Sequence, residues 1–149
     1  MDNITKNAKE TQKIAIGLVG DLAGKKTKGA LVLGLVGELG AGKTTFIQGM
    51  AEALKIKERI LSPTFVIMKR FIIHSPRFAN FYHIDCYRIE NPKELITLGF
   101  KKIISEPKNL VVIEWAEKIK EVLPEDTVWL KFEHLGKDRR RIKLLNFKI

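Results

Sequence analysis

The residues with the clearest chemical pattern form an eight-residue stretch, GELGAGKT, that begins at Gly37 and matches G-x-x-x-x-G-K-[ST]. Gly37, Gly40 and Gly42 allow the backbone to wrap around a phosphate group, because glycine tolerates positive φ. Lys43 is expected to reach the β- and γ-phosphates of a nucleotide, and the Thr44 hydroxyl is expected to hold Mg²⁺. The pattern therefore predicts a nucleotide-phosphate site.

The segments on either side of this stretch fit the same interpretation. The apolar run Leu31–Val36 reads as a buried strand, and an amphipathic helix follows with Phe46, Ile47, Met50, Ala53 and Leu54 on one face. A glycine-rich turn that binds nothing is the alternative, but strand, loop and helix in this order favour the phosphate site.

A phosphate loop needs an acidic residue at the end of a nearby strand to organise Mg²⁺ and water. Two predicted strands end in acids, LVVI before Glu114 and FYHI before Asp85. Glu114 is favoured because its strand is uniformly apolar, although either acid could lie nearer the metal, and a solvated strand end is the alternative for each. Trp115 follows Glu114 and should lie near the site unless it packs in the core. Thr64, about twenty residues beyond the loop, is comparable to the switch threonine of GTPases, or belongs to a capped turn.

The remaining pattern predicts one α/β domain, residues 1–149, with a mostly parallel central sheet and added antiparallel hairpins. A helix is expected over Lys9–Ala23, with residues 1–8 frayed in front of it. Short helices should follow Asn91 and cover Phe100–Glu106, and another should follow Trp115. The two hairpins are expected at residues 66–85 and 127–147.

The composition limits which covalent links, cellular compartments and binding partners are expected. The chain has 149 residues, a net charge of +10 and a single cysteine, Cys86, so no internal disulfide can form. No apolar stretch approaches a membrane span, and the polar start MDNITKNAKE does not resemble a secretory signal, so we expect a cytoplasmic protein without membrane contact. The positive charge favours polyanions such as nucleic acid, or reflects lysine-rich solvated faces; its densest clusters are Lys25–Lys28 and Lys137–Arg141.

The ordered set GELGAGKTTF, SPTF, HIDCYR and VIEWAEKI, followed by LP, resembles the bacterial TsaE family over nearly the whole chain. These are the small ATPases of tRNA threonylcarbamoyladenosine biosynthesis. The resemblance implies a three-layer P-loop NTPase-type fold, slow Mg²⁺-dependent hydrolysis of ATP to ADP, and a complex with a TsaB–TsaD-like heterodimer. TsaD transfers the threonylcarbamoyl group to adenosine 37 of ANN-decoding tRNAs, and ATP hydrolysis resets the complex. Contact with tRNA is expected to be indirect, or weak through the basic surface.

Carried over by position, the resemblance implies catalytic roles for Lys43, Thr64, Asp85 and Glu114, and Mg²⁺ held by Thr44 and Glu114. The implied nucleotide contacts are Glu38, Leu39, Gly40, Ala41, Gly42, Lys43, Thr44, Thr45, Thr11, Trp115 and Arg140. Thr11 would lie near the adenine. Two departures are present: Glu38 stands where the family usually has Asp, and Lys101 and Lys102 occupy a stretch that is commonly acidic.

Two other classes of protein could contain the same phosphate-binding loop. A small-molecule or nucleoside kinase would need an arginine-bearing lid and an acceptor pocket, and the sequence shows no obvious lid. A nucleotide-regulated binding module without useful turnover is disfavoured by Thr64 and Asp85.

Overall fold

The computed structural model describes residues 1–61 and 67–145. Its elements follow the predicted order closely, with one extra strand at the start. In chain order they are β1 (Asp2–Thr5), α1 (Ala8–Ala23), β2 (Leu31–Val36), α2 (Lys43–Ala53), β3 (Met68–Ile72), β4 (Asn80–Asp85), α3 (Lys93–Ile96), α4 (Phe100–Ser105), β5 (Asn109–Glu114), a 3₁₀ helix (Ala116–Val122), β6 (Val128–His134) and β7 (Arg140–Leu145).

All seven strands join one sheet in the order β1-β7-β6-β2-β5-β4-β3. The four central strands, β6, β2, β5 and β4, run parallel to one another. The outer pairs β3–β4, β6–β7 and β1–β7 are antiparallel. The predicted parallel centre with antiparallel hairpins is confirmed, and the carboxyl ends of the central strands meet at one edge of the sheet.

Helices cover both faces of this sheet, so the expected three layers are present. Alternate residues of a strand point to opposite faces. Accordingly Leu31, Leu33 and Leu35 of β2 pack with α1 and α2, whereas Val32 and Val36 belong to the core beneath α3, α4 and the 3₁₀ helix. Both β2 and β5 are buried along their whole length, as a parallel strand covered on two faces requires.

The start of α1 is fixed by a reciprocal cap. The backbone N–H of Glu10 donates to Asn7 Oδ1 at 2.9 Å, and the N–H of Lys6 donates to Glu10 Oε2 at 2.7 Å. Further along, α1 lies close against α2, since a Cβ added to Gly49 would be 2.5 Å from the carbonyl oxygen of Gln12. This packing carries the first turn of α1 towards the beginning of α2.

The prediction that residues 1–8 are frayed is wrong. Asp2–Thr5 pairs with Arg140–Lys143 of β7, and the Arg141 guanidinium donates two hydrogen bonds of 2.8 Å to the Asp2 carboxylate. Thr5 is 1% exposed and its hydroxyl lies 2.8 Å from that of Thr11. A four-residue strand is too short for its pattern to be read without its partner.

The remaining features concern the single cysteine, the helix after Trp115, Thr64 and the length of the helices. Cys86, the single cysteine, is buried and packs as a small apolar side chain. The helix after Trp115 forms, but as a 3₁₀ helix with a kink at Ile119. Thr64 lies outside the described residues, so its role stays a prediction. None of the helices in the described part of the chain has the length and apolar character that crossing a membrane demands.

Candidate nucleotide-binding site

The loop between β2 and α2 has the backbone that its glycines predict. Gly37, Gly40 and Gly42 have φ of 144°, 76° and 101°. At Gly37 a side chain is also excluded by space, because a Cβ would lie 2.4 Å from the carbonyl oxygen of Phe132. Gly42 precedes α2 directly, and the first N–H groups of a helix have no partner within it. The loop therefore ends at a helix amino terminus suited to an anion.

Lys43 is folded back onto this loop. Its ammonium group donates to the carbonyl oxygens of Gly37 and Glu38, the latter at 2.9 Å, and lies 4.3 Å from the centre of the Trp115 ring. The residue is only 5% exposed, and burial lowers the pKa of Lys43, opposed by the nearby charges of Glu114, Glu117 and Asp85. The phosphate oxygens of a bound triphosphate would pair with this buried positive charge and so stabilise it.

Thr44, Glu114 and His83 form a short chain of hydrogen bonds from α2 across two strands. The Thr44 hydroxyl donates to Glu114 Oε1 at 2.9 Å, and His83 Nε2 lies 2.7 Å from Glu114 Oε2. His83 and Glu114 are 1% and 3% exposed. Each oxygen of the Glu114 carboxylate thus has a fixed partner, and one partner is the threonine of the phosphate loop.

Asp85 lies beside Glu114 because the strands that carry them are parallel neighbours in matching register. Its Oδ1 accepts a 2.9 Å hydrogen bond from the backbone N–H of Tyr87. The two acids predicted from separate strand ends are therefore brought together at the carboxyl edge of the sheet, and the one in contact with Thr44 is Glu114.

A cavity of about 490 Å³ opens over these groups, within the usual range for small-molecule sites. It brings together most residues singled out from the sequence: Thr11, Leu39, Gly40, Gly42, Lys43, Thr44, Thr45, Asp85, Glu114, Trp115 and Arg140. Among the described residues, Glu38 and Ala41 are exceptions that belong to the loop without lining the cavity. Glu38 acts instead through its backbone carbonyl, which accepts from Lys43.

The hairpin of β6 and β7 forms one wall of the cavity. Arg140 Nη1 donates to the carbonyl oxygens of Lys137 and Arg139 at 3.0 and 2.9 Å, which holds the side chain at the turn. Its aliphatic part lies against the phosphate loop, since a Cβ on Gly42 would be 3.5 Å from Arg140 Cγ. Arg140 is thus positioned beside the loop.

Comparison with known proteins identifies the family of this chain. A family model described as "Threonylcarbamoyl adenosine biosynthesis protein TsaE" matches residues 5–142. The chain belongs to the TsaE family. A TsaE protein of Bacillus subtilis is 37% identical over 138 residues, which covers 93% of this chain and 80% of that protein. One from Treponema pallidum is 31% identical over 123 residues, covering 83% and 87%. Both carry the name tRNA threonylcarbamoyladenosine biosynthesis protein TsaE.

A solved structure is also similar to this TsaE family member. The crystal structure of YdiB from Bacillus subtilis superposes with a TM-score of 0.75 at 32% sequence identity. The match covers 97% of this chain and 83% of that one, so it includes nearly all of the elements around the cavity.

Several lining residues of this TsaE family member were missed from the sequence: Asn7, Ala8, Tyr87 and Asp138. Tyr87 packs its ring against that of Trp115, with centroids 5.1 Å apart and planes at 50°. Its position two residues after Asp85 could have indicated this. Trp115 itself has a left-handed backbone, φ 57°, which turns the chain from β5 into the 3₁₀ helix. The role of His83 as the buried partner of Glu114 was missed as well.

The available ligands suit Mg²⁺ bound together with a nucleotide. Within residues 1–61 and 67–145, no group of three or more His, Cys, Asp or Glu side chains could hold a metal by itself. Mg²⁺ is usually held by one or two carboxylates with substrate phosphates and water, and it prefers hard oxygen donors. The Thr44 hydroxyl and the Glu114 carboxylate provide such oxygens at the amino end of α2.

Proposed function

We propose that this chain is the Mg²⁺-dependent ATPase of tRNA threonylcarbamoyladenosine biosynthesis, and that it acts as a single domain in the cytoplasm. The observation that carries the proposal is the 2.9 Å contact between the Thr44 hydroxyl and Glu114, at the amino end of α2 and inside the cavity. The membership of the TsaE family supports the pathway, and the phosphate loop supports the nucleotide.

The proposed roles follow from where the side chains lie. The loop residues Glu38–Thr45 bind the phosphates, chiefly through backbone N–H groups and Lys43. Thr44 and Glu114 hold Mg²⁺, which stabilises the charge that develops on the phosphoryl oxygens. Asp85, at the same sheet edge, supports hydrolysis by orienting the attacking water.

The remaining contacts concern the nucleoside. Trp115 lies beside the nucleotide, and Arg140 reaches it from the β6–β7 wall. Thr11, which lines the cavity from the first turns of α1, is placed for the adenine. Thr64 is proposed as the switch threonine on the strength of the sequence alone.

The metal assignment is tested with Glu114→Gln, which keeps the size of the side chain and removes its charge. Mg²⁺-dependent ATP hydrolysis should fall by at least about tenfold, because carboxylate charge is what Mg²⁺ selects. Affinity for ADP without Mg²⁺ should change much less. Glu125→Gln, an exposed carboxylate on the same chain, is the matched control. Unchanged hydrolysis in Glu114→Gln would overturn the assignment.

The biological role is tested by reconstitution. The proposed partners are a TsaB–TsaD-like heterodimer, with TsaD as the transferase. The chain, that heterodimer, tRNA, threonine, bicarbonate and ATP should give repeated rounds of modified adenosine, and omission of the chain should prevent repeated rounds. ATP should be hydrolysed faster, or bound more tightly, with the heterodimer present. Failure to bind the heterodimer, together with phosphorylation of a small molecule, would favour a kinase instead.

A further inference from the structure

The edge of the sheet opposite the nucleotide cavity is formed by three segments that are joined by hydrogen bonds. They are residues 24–29 before β2, 76–79 before β4 and 101–108 before β5. Arg77 joins all three, because its guanidinium donates to Pro107 O at 2.8 Å and to Thr27 Oγ1 at 3.1 Å. The N–H of Ala30 donates to Ile104 O at 2.8 Å. The three segments therefore present a fixed surface, called here the basic edge.

Positive charge is concentrated on the basic edge. Glu106 is its one acidic residue, and Glu106 Oε1 accepts a 3.0 Å hydrogen bond from the backbone N–H of Lys108. Arg77 is half-buried, and the six lysines are exposed. The cations are Lys25, Lys26, Lys28, Arg77, Lys101, Lys102 and Lys108.

The neighbouring acids leave this surface positive. Asp21 lies one turn earlier on α1, and Glu125 and Asp126 precede β6, on the other side of β2 from β5. The second basic cluster, residues 137–141, differs because it lies at the cavity. Its Arg141 forms an ion pair with Asp2, and its Asp138 lines the nucleotide cavity.

A group of exposed lysines on a fixed backbone suits a polyanion that carries many charges, since each phosphate contact releases a condensed counterion. We propose that the basic edge binds the phosphate backbone of tRNA directly, an inference that rests on the proposed function for the choice of RNA. The net charge of +10 acts in the same direction by steering RNA to the protein.

The basic edge lies at the opposite end of the central strands from the nucleotide cavity. The nucleotide lies at the carboxyl ends of the central strands and the RNA at their amino ends. The six-residue strand β2 separates these two edges by about 20 Å. ATP and tRNA can therefore occupy the protein together without sharing a contact residue.

The test is fluorescence anisotropy of a labelled tRNA transcript, with the chain alone and no nucleotide, from about 50 to about 200 mM salt. The triple variant Lys25→Gln, Lys26→Gln, Lys28→Gln should weaken tRNA binding at least about tenfold and lower the salt slope by about two to three. The control, Lys13→Gln, Lys120→Gln, Lys143→Gln, removes the same charge from exposed lysines elsewhere and should cost less than about threefold. ATP affinity should be unchanged in both, which also shows that they are folded.

Equal losses of tRNA affinity in the two triple variants, or no loss in the first, would overturn the proposal that the basic edge binds tRNA. So would lysine-dependent binding to phosphatidylglycerol vesicles with unchanged tRNA affinity. The assay uses neither ATP nor the heterodimer. If tRNA binding depends on these lysines while reconstitution fails, the error lies in the proposed function. If reconstitution succeeds while tRNA binding does not depend on these lysines, only the proposal for the basic edge is rejected.

Discussion

His83 Nε2 lies 2.7 Å from Glu114 Oε2, and both side chains are buried between the sheet and α2. This contact leaves the other oxygen of Glu114 facing Thr44. His83 therefore fixes the orientation of the carboxylate that we propose for Mg²⁺, and it acts as a positioning residue through Glu114.

Replacing His83 should affect both stability and metal binding. His83→Phe retains bulk but leaves a buried carboxylate oxygen without its partner, which should lower the free energy of unfolding by about 1–3 kcal/mol. Apparent Mg²⁺ affinity in the ATPase assay should fall about tenfold, as for other residues that orient metal ligands. His74→Phe, at an exposed position, is the control. Loss of stability with unchanged Mg²⁺ affinity would show a structural role only.

Lys43→Ala should weaken ATP binding. We expect the ammonium group to exchange its contacts with Gly37 and Glu38 for phosphate oxygens when nucleotide binds, and a charge-assisted contact of this kind contributes about 1.5–3 kcal/mol. Titration calorimetry should show affinity lower by about ten- to hundredfold. Lys120→Ala, which alters an exposed lysine of the 3₁₀ helix, should bind normally. Normal ATP affinity in Lys43→Ala would count against the site.

Trp115 should report nucleotide binding through its fluorescence. The Lys43 ammonium lies 4.3 Å from the centre of the Trp115 ring. We expect it to move towards phosphate when nucleotide binds, which would remove a cation from the ring face. The wild-type emission should change on addition of ATP, and Trp115→Phe should abolish the change. Trp129, the second tryptophan, is 2% exposed and does not line the cavity, so its emission supplies an internal reference. A change that persists in Trp115→Phe would contradict this assignment.

Cys86 should be unreactive in the folded protein. Burial raises the pKa of the Cys86 thiol to about 12, with the Asp85 charge acting in the same direction. Because the thiolate is the nucleophile, iodoacetamide should label native protein at pH near 9 at least about a hundredfold more slowly than denatured protein. Above the ordinary thiol pKa the unfolded chain loses a proton that the folded chain keeps, so this contribution to stability declines as pH rises towards 12. Equal labelling rates would contradict the burial.

Much of the fold was readable from local pattern. The phosphate loop, the buried strands β2 and β5 and the hairpins follow from glycine spacing, apolar runs and alternation. Strand β1 was not, because its four residues gain their structure from pairing with β7, which lies at the far end of the chain.

The parts of the candidate site that could be predicted are those whose residues belong to a short sequence motif or to the end of a recognisable strand. Lys43, Thr44 and the two strand-end acids were found in this way. The contact of His83 with Glu114 depends on the register between β4 and β5 and on the face that each strand turns to α2, which no single segment records. Asn7 and Asp138 reach the cavity only through the packing of α1 and of the last hairpin.

The most direct measurement is a crystal structure of the chain with Mg²⁺ and a non-hydrolysable ATP analogue. We expect a triphosphate against the backbone amides of Gly40–Thr45, with Lys43 moved from the carbonyl of Gly37 to phosphate and the metal beside Thr44 and Glu114. A nucleotide bound elsewhere, or a Lys43 still bonded to its own loop beside a bound nucleotide, would contradict it.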